Sequence, residues 1–145
     1  MKIYKIGIIG CGGIAQKMAA TLEKMKGVER YAVASRNQEK AEAFANKWGF
    51  TKAYGSYEEL ASDPEVDLIY IATPHAMHYD NAHMCIEKGK PVLCEKAFTA
   101  NARQAEDLLA FAKEKGVFIT EAIWTRYMPL SLKIQELLKE GVIGT

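Results

Sequence analysis

The chain has 145 residues, about half of them apolar and a quarter charged, the size and composition of one globular domain. Its 19 basic and 18 acidic residues are mixed along the length, which excludes the basic stripe of a nucleic-acid or membrane-surface binder. No run approaches the roughly 18–20 apolar residues that span a bilayer, and Met1-Lys2-Ile3-Tyr4-Lys5 runs into a strand rather than a signal peptide.

Taken in chain order, residues 6–9 form a short apolar run that predicts a buried strand, followed by a helical stripe of Ile14, Met18, Leu22 and Met25. Residues 31–34 repeat the strand pattern, and Ala41, Phe44, Ala45 and Trp48 the helical one. Residues 52–54 suit a short edge strand, and Ser56 with Glu59 has capping-box spacing. Residues 68–72 make the next strand, and residues 76–88 a helix that is apolar nearly all round. Residues 92–94 are a strand; Asn101 with Gln104 opens a helix carrying Ala105, Leu108, Leu109 and Ala112. Residues 117–119 are the last strand, and Leu130, Ile134, Leu137 and Leu138 the last helical face. Gly27, Gly49, Gly89, Gly116 and Gly141 each follow a helical stretch, where a left-handed residue ends the helix. This alternation predicts an α/β fold: a doubly wound parallel sheet in three layers, α/β/α.

The first strand runs into Gly10-Cys11-Gly12-Gly13-Ile14-Ala15, a G-x-G-x-x-A. Gly10 permits the turn, Gly12 lets backbone approach a pyrophosphate, and Ala15 lets the helix pack close to the sheet. Gly13 and Ile14 open that helix, whose free N–H groups and positive dipole end suit phosphates. A strand before and a helix after make this a dinucleotide loop rather than a chance glycine cluster. An NAD enzyme places Asp or Glu at the end of the second strand; this chain reads Ser35-Arg36 there. A guanidinium and a hydroxyl suit a 2′-phosphate, so NADP is the expected cofactor, with NAD tolerated. The alternative is a solvated Arg36 ahead of a helix.

Three further segments resemble the Gfo/Idh/MocA oxidoreductase family, whose domain of this kind has the Rossmann fold. Thr73-Pro74-His75-Ala76-Met77-His78 is similar to its T-P-N-x-x-H, and Gly89-Lys90-Pro91-Val92-Leu93-Cys94-Glu95-Lys96-Ala97 to its G-K-x-V-x-x-E-K-P. Residues 121–129, Glu-Ala-Ile-Trp-Thr-Arg-Tyr-Met-Pro, resemble the branch of dimeric dihydrodiol dehydrogenase and NADP-dependent xylose dehydrogenase. The resemblance implies hydride transfer between nicotinamide and a sugar, polyol or dihydrodiol. It makes Lys96 the catalytic lysine, with Thr73, Pro74, His75, His78, Glu95, Lys96 and Arg126 joining the cofactor contacts. His75 stands where the family has Asn, and Ala97 where it has Pro, which removes a rigid turn after the lysine.

Residues 1–140 then form the dinucleotide-binding domain, and Gly141–Thr145 resembles a hinge toward a second, substrate-binding domain. The resemblance implies that such a domain, absent here, supplies a tyrosine to pair with Lys96 and can form the interface of a homo-oligomer. The expectation is that residues 1–145 alone bind cofactor without turnover. Two other functions stay open: a non-catalytic NAD(P)-sensing regulatory module, and a reductase of a non-sugar substrate such as a tetrapyrrole. His75, His78, His83 and Cys85 lack the spacing of a closed zinc site, so no metal is expected. Cys11, Cys85 and Cys94 lack a disulfide framework and read as reduced thiols of a cytoplasmic protein. Cys11 is either a tolerated small side chain in the loop or a modestly activated thiol.

Overall fold

The computed structural model describes residues 2–142 and 144. Among these, six strands alternate with six α-helices. They run β1 (Tyr4–Ile9), α1 (Gly13–Lys24), β2 (Val28–Ala34), α2 (Gln38–Trp48), β3 (Lys52–Tyr54) and α3 (Tyr57–Ser62). The second half is β4 (Leu68–Ile71), α4 (His78–Glu87), β5 (Val92–Cys94), α5 (Ala102–Lys115), β6 (Ile119–Glu121) and α6 (Pro129–Lys139). Short 3-10 turns lie at His75–Met77 and Trp124–Tyr127. Every pairing is parallel and the sheet order is β3-β2-β1-β4-β5-β6, the doubly wound arrangement expected. The order reverses between β1 and β4, and it is at such a point that strand carboxyl ends leave a crevice.

Two cores follow from the period of two along each strand. Ile6, Ile8, Val33 and Tyr70 face α1 and α2; Ile9, Ala32, Ala34, Ile69 and Ile71 face α3, α4 and α5. Ser56 and Asn101 cap α3 and α5 as their spacing predicts, accepting from Glu59 N and Gln104 N. Asn37 caps α2 in the same way, accepting from Lys40 N. Each such cap contributes about 1 kcal/mol.

Four expectations need correction. Helix α1 buries Ala15, Ala19 and Leu22, while Ile14 and Met25 are 38% and 49% exposed, so its inner face is turned by one residue. Alanines win because they let the helix axis approach the sheet, which larger side chains would hold away. Strand β6 starts at Ile119, not at Val117. Val117 N is taken by Ala112 O at the end of α5, and Phe118 O accepts from Val92 N, so only the following residues complete the ladder. Helix α4 has a defined inner face, His78, Asn81, Ala82, Cys85 and Ile86, whose polar members hid the period. Helix α6 buries nothing: Leu130, Ile134 and Leu138 are 67%, 47% and 52% exposed.

A polar cluster at the amino ends of the strands anchors the side opposite the crevice. Asp63, almost fully buried, accepts from Lys52 Nζ at 2.9 Å, Tyr54 Oη at 2.7 Å and Glu65 N at 2.9 Å. Burial alone would raise its carboxyl, but these bonds outweigh it and hold the group at about 2, below the ordinary 3.8. A lowered folded value stabilises the fold above the unfolded value and ceases to do so as pH falls through the folded one. The contribution is about 2 kcal/mol, lost between roughly pH 4 and 2. Asp63→Asn is therefore expected to be less stable than the parent at pH 6 and to converge on it near pH 2. Urea unfolding followed by circular dichroism at the two pH values checks this; a constant difference would show that Asp63 is not the titrating group.

Candidate functional site

The crevice begins where β1 ends. Gly10 has φ +99° and would place a Cβ 2.9 Å from Ala72 O, so neither the turn nor the neighbouring strand tolerates a side chain. Gly12 differs: its φ is −79°, and a Cβ there would meet nothing within 4 Å. That space lies over the start of α1, where no side chain caps the helix and no acidic residue occupies the first turn. Uncapped N–H groups beside an open cradle suit a phosphate. Gly13 and Ile14 form the first helical positions and Ala15 is buried against the sheet.

Ser35 and Arg36 follow β2 across the crevice. Together with Gly10, Cys11, Gly12, Thr73 and Pro74 they line a cleft of about 250 Å³. Two residues absent from the sequence reading join them, Lys40 and Tyr57. Lys40 is four residues beyond Arg36 and enters the cleft because Asn37 starts α2 between them. Tyr57 follows the Ser56 cap; burial raises its phenol, with the Arg36 guanidinium beside it pulling the other way. The lining thus carries two cations and no carboxylate. Burial also raises the Cys11 thiol, against weaker opposing effects of Ser35 and Lys40, which fits a small side chain in the loop rather than an activated nucleophile.

The third wall is the loop after β4. Thr73 is buried and its Oγ1 accepts from Asn81 Nδ2 at 3.0 Å; Pro74 and His75 are exposed at the rim. His78 departs from its expected place on the cleft. It is fully buried, with Nδ1 2.8 Å from Ala97 O and Nε2 2.9 Å from Thr73 O. Carbonyl oxygens only accept, so an imidazolium donates to both and either neutral tautomer donates to one. His78 therefore ties the Thr73 loop to the lysine loop from below. Elsewhere on α4, His83 stacks on Phe111 with ring centroids 4.1 Å apart.

Lys96 is exposed just past β5, and the Lys96–Ala97 peptide is cis. Without the proline of the family pattern, hydrogen bonds fix this turn. Lys96 N donates to Glu95 Oε2 at 3.2 Å, Phe98 N donates to Glu121 Oε1 at 2.8 Å, and Ala97 O meets His78. Glu95 is 7% exposed and its other oxygen accepts from Tyr70 Oη in β4. Tyr70 and Glu121 carry no sign of this role in the sequence: the tyrosine reads as core in an aliphatic strand, and Glu121 only as the first residue of the segment 121–129. Glu95 also borders a second, mostly apolar cleft of about 270 Å³ with Leu93, Trp124 and Tyr127. Arg126 sits in the 3-10 turn after β6 and lines neither cleft. Of the five hinge positions, Ile143 and Thr145 lie outside the described residues.

Known proteins resemble this chain in sequence and fold. Residues 4–122 match the Gfo/Idh/MocA oxidoreductase family, NAD-binding Rossmann fold. The chain is 47% identical to D-xylose 1-dehydrogenase (NADP(+)) of Hypocrea jecorina over 97% of its own length and 39% of that protein. It is 44% identical to mouse trans-1,2-dihydrobenzene-1,2-diol dehydrogenase, over 95% of the chain and 42% of the relative. Among solved structures, the 3-ketoreductase KijD10 of Actinomadura kijaniata, in complex with TDP-benzene and NADP, superposes with a TM-score of 0.91. It is 32% identical, over 99% of this chain and 45% of that one. The chain thus spans about two-fifths of the length of the curated relatives it matches.

Proposed function

Since the chain belongs to the Gfo/Idh/MocA oxidoreductase family, we propose that it is the nucleotide-binding part of an NADP-dependent dehydrogenase acting on a sugar, polyol or dihydrodiol. The observation that carries the cofactor reading is the cleft shared by the glycine loop, Ser35, Arg36 and Lys40, cationic and free of carboxylates. The open cradle over Gly12 fits a pyrophosphate, and Arg36 and Lys40 fit a 2′-phosphate. Thr73, Pro74 and His75 then border the nicotinamide side, supported by His78 rather than joined by it.

The glycine loop, Ser35, Arg36 and Lys40 would hold NADP(H), which would supply the hydride donor or acceptor. Lys96 would offer its ammonium group to the substrate oxygen, giving it a proton as a carbonyl is reduced; in the oxidising direction the same proton returns from the alcohol to the neutral amine. Glu95 orients the lysine turn through its backbone. Arg126 contacts cofactor only if the segment after β6 folds over the crevice. The uncovered apolar residues of that segment, Trp124 and Tyr127 at 61% and 70% exposure and the stripe of α6, support a second domain that closes the crevice and completes the substrate pocket. A homo-oligomer built through that domain, and a reducing cytoplasmic setting for the three free thiols, belong to the same reading. Among the described residues, no helix is long and apolar enough to cross a membrane.

Calorimetric titration of the chain with NADPH and NADH tests the cofactor. Hydrogen bonds to a charged group contribute about 1.5–3 kcal/mol, so NADPH should bind at least roughly tenfold more tightly. Arg36→Ala is expected to erase most of that difference, and rising salt to weaken it. Equal affinities in the unmutated chain would overturn NADP as the preferred cofactor.

A further inference from the structure

We propose that Tyr70 is a positioning residue for Lys96: it holds the Glu95 carboxylate so that this anion does not capture the lysine's ammonium group. The inference rests on the reading of Lys96 given above. Strand β4 is otherwise aliphatic, Leu68-Ile69-Tyr70-Ile71, and a hydroxyl in such a strand is costly unless it meets a partner. Tyr70 is 2% exposed, and its O–H donates to Glu95 Oε1. The second oxygen, Oε2, accepts from Lys96 N at 3.2 Å. Both oxygens of a buried carboxylate are thus engaged by donors other than the ammonium group of the next residue. Burial, reinforced by Glu95, raises the Tyr70 phenol, so the hydroxyl keeps its proton and remains a donor.

The consequence is an exposed Lys96 whose Nζ has no carboxylate within ion-pair distance among the described residues. The other ionisable groups around the turn are committed elsewhere. Glu121 accepts from Phe98 N, His78 faces Ala97 O, and the Cys94 thiol, its value pushed up to about 12 by burial, points to Phe98 O. Removing the Tyr70 hydroxyl would leave Oε1 without its donor, at the edge of the cleft that Glu95 shares with Met18, Leu93, Thr120, Trp124 and Tyr127. The next residue in the chain, Lys96, carries a flexible ammonium group. An ion pair with it would draw Lys96 away from the crevice and make it hold its proton more tightly.

The test uses the 145-residue chain labelled with 13C at the lysine ε-carbon, with the Lys96 resonance assigned by its loss in Lys96→Arg. Tyr70→Phe is expected to raise the Lys96 titration midpoint by about half a unit or more, a threefold or larger gain in proton affinity. In the Tyr70→Phe, Glu95→Gln double variant the midpoint should return to the parent value or fall below it. NADPH affinity, read from nicotinamide fluorescence, should change less than about threefold in Tyr70→Phe, because the phosphate loop is untouched. A folded Tyr70→Phe chain with an unmoved midpoint would overturn the proposal. Should Tyr70→Phe fail to fold, Glu95→Asp keeps the charge but draws it back from the hydroxyl. A raised midpoint there supports the proposal, and an unmoved one overturns it. Saturating NADP+ separates the two readings. A Lys96 resonance that ignores the cofactor would overturn the placement of Lys96 itself, whereas one that moves while Tyr70→Phe has no effect would overturn only the role of Tyr70.

Discussion

Gly12→Val should abolish NADPH binding, lowering affinity by more than about a hundredfold, while leaving the fold intact. The two halves of this expectation come from different properties of one residue. The φ of −79° at Gly12 is open to any L-residue, and a Cβ there meets no protein atom within 4 Å, so the folded chain accepts the side chain. The same empty space is what lets the backbone approach a pyrophosphate, and a branched side chain fills it. Gly10→Ala should behave in the opposite manner. Its positive φ and the 2.9 Å approach to Ala72 O make even a methyl group strained, at a cost of about 1–3 kcal/mol, so stability falls with binding. Thermal melts and NADPH titrations on both variants separate the cases. Undiminished affinity in Gly12→Val would show that the loop is not where the dinucleotide lies.

Much of this was legible from the chain because each local signal agreed with its neighbours. Strand runs, C-terminal glycines and the Ser56 and Asn101 caps all describe short-range geometry, and apart from the start of β6 they recur in the structure. The G-x-G-x-x-A, Ser35 and Arg36 were readable for the same reason: they follow directly from strand ends. What escaped depends on which elements become neighbours. Lys40 and Tyr57 meet Arg36 only once α2 and the start of α3 flank the end of β2. Tyr70 reads as one more core residue until β5 brings Glu95 beside it. His78, expected on the cleft, is instead buried between two carbonyls, because α4 turns that residue inward with Asn81 and Ala82. Helix α6 illustrates the converse. Its apolar stripe is regular, yet a stripe alone does not say what covers it.

Residues 1–145 alone should bind NADPH yet turn over sugars or dihydrodiols at less than about a thousandth of the rate of a protein that continues into a substrate domain. Hydride transfer needs donor and acceptor carbons held roughly 3–3.5 Å apart, and such positioning accounts for about 7–11 kcal/mol of barrier lowering. In this chain the glycine loop, the Thr73 loop and the tied turn at Lys96 can orient one reactant and offer one hydrogen bond. The face beside them is open: Trp124 and Tyr127 are largely exposed, and nothing among the described residues walls off the second cleft from water. Losing half of the positioning contribution, roughly 4–5 kcal/mol, slows the reaction about a thousandfold. In the longer protein, Lys96→Met should remove most turnover while the protein still binds NADPH, because the ammonium group acts on the substrate oxygen and not on the phosphates. Its loss would fall on kcat, the signature of an interaction that strengthens in the transition state. NADP+ reduction with a panel of aldoses, inositols and dihydrodiols, run on both lengths and on the Lys96→Met variant, decides the matter. Full activity from residues 1–145, or an active Lys96→Met enzyme, would place the chemistry somewhere other than the turn after β5.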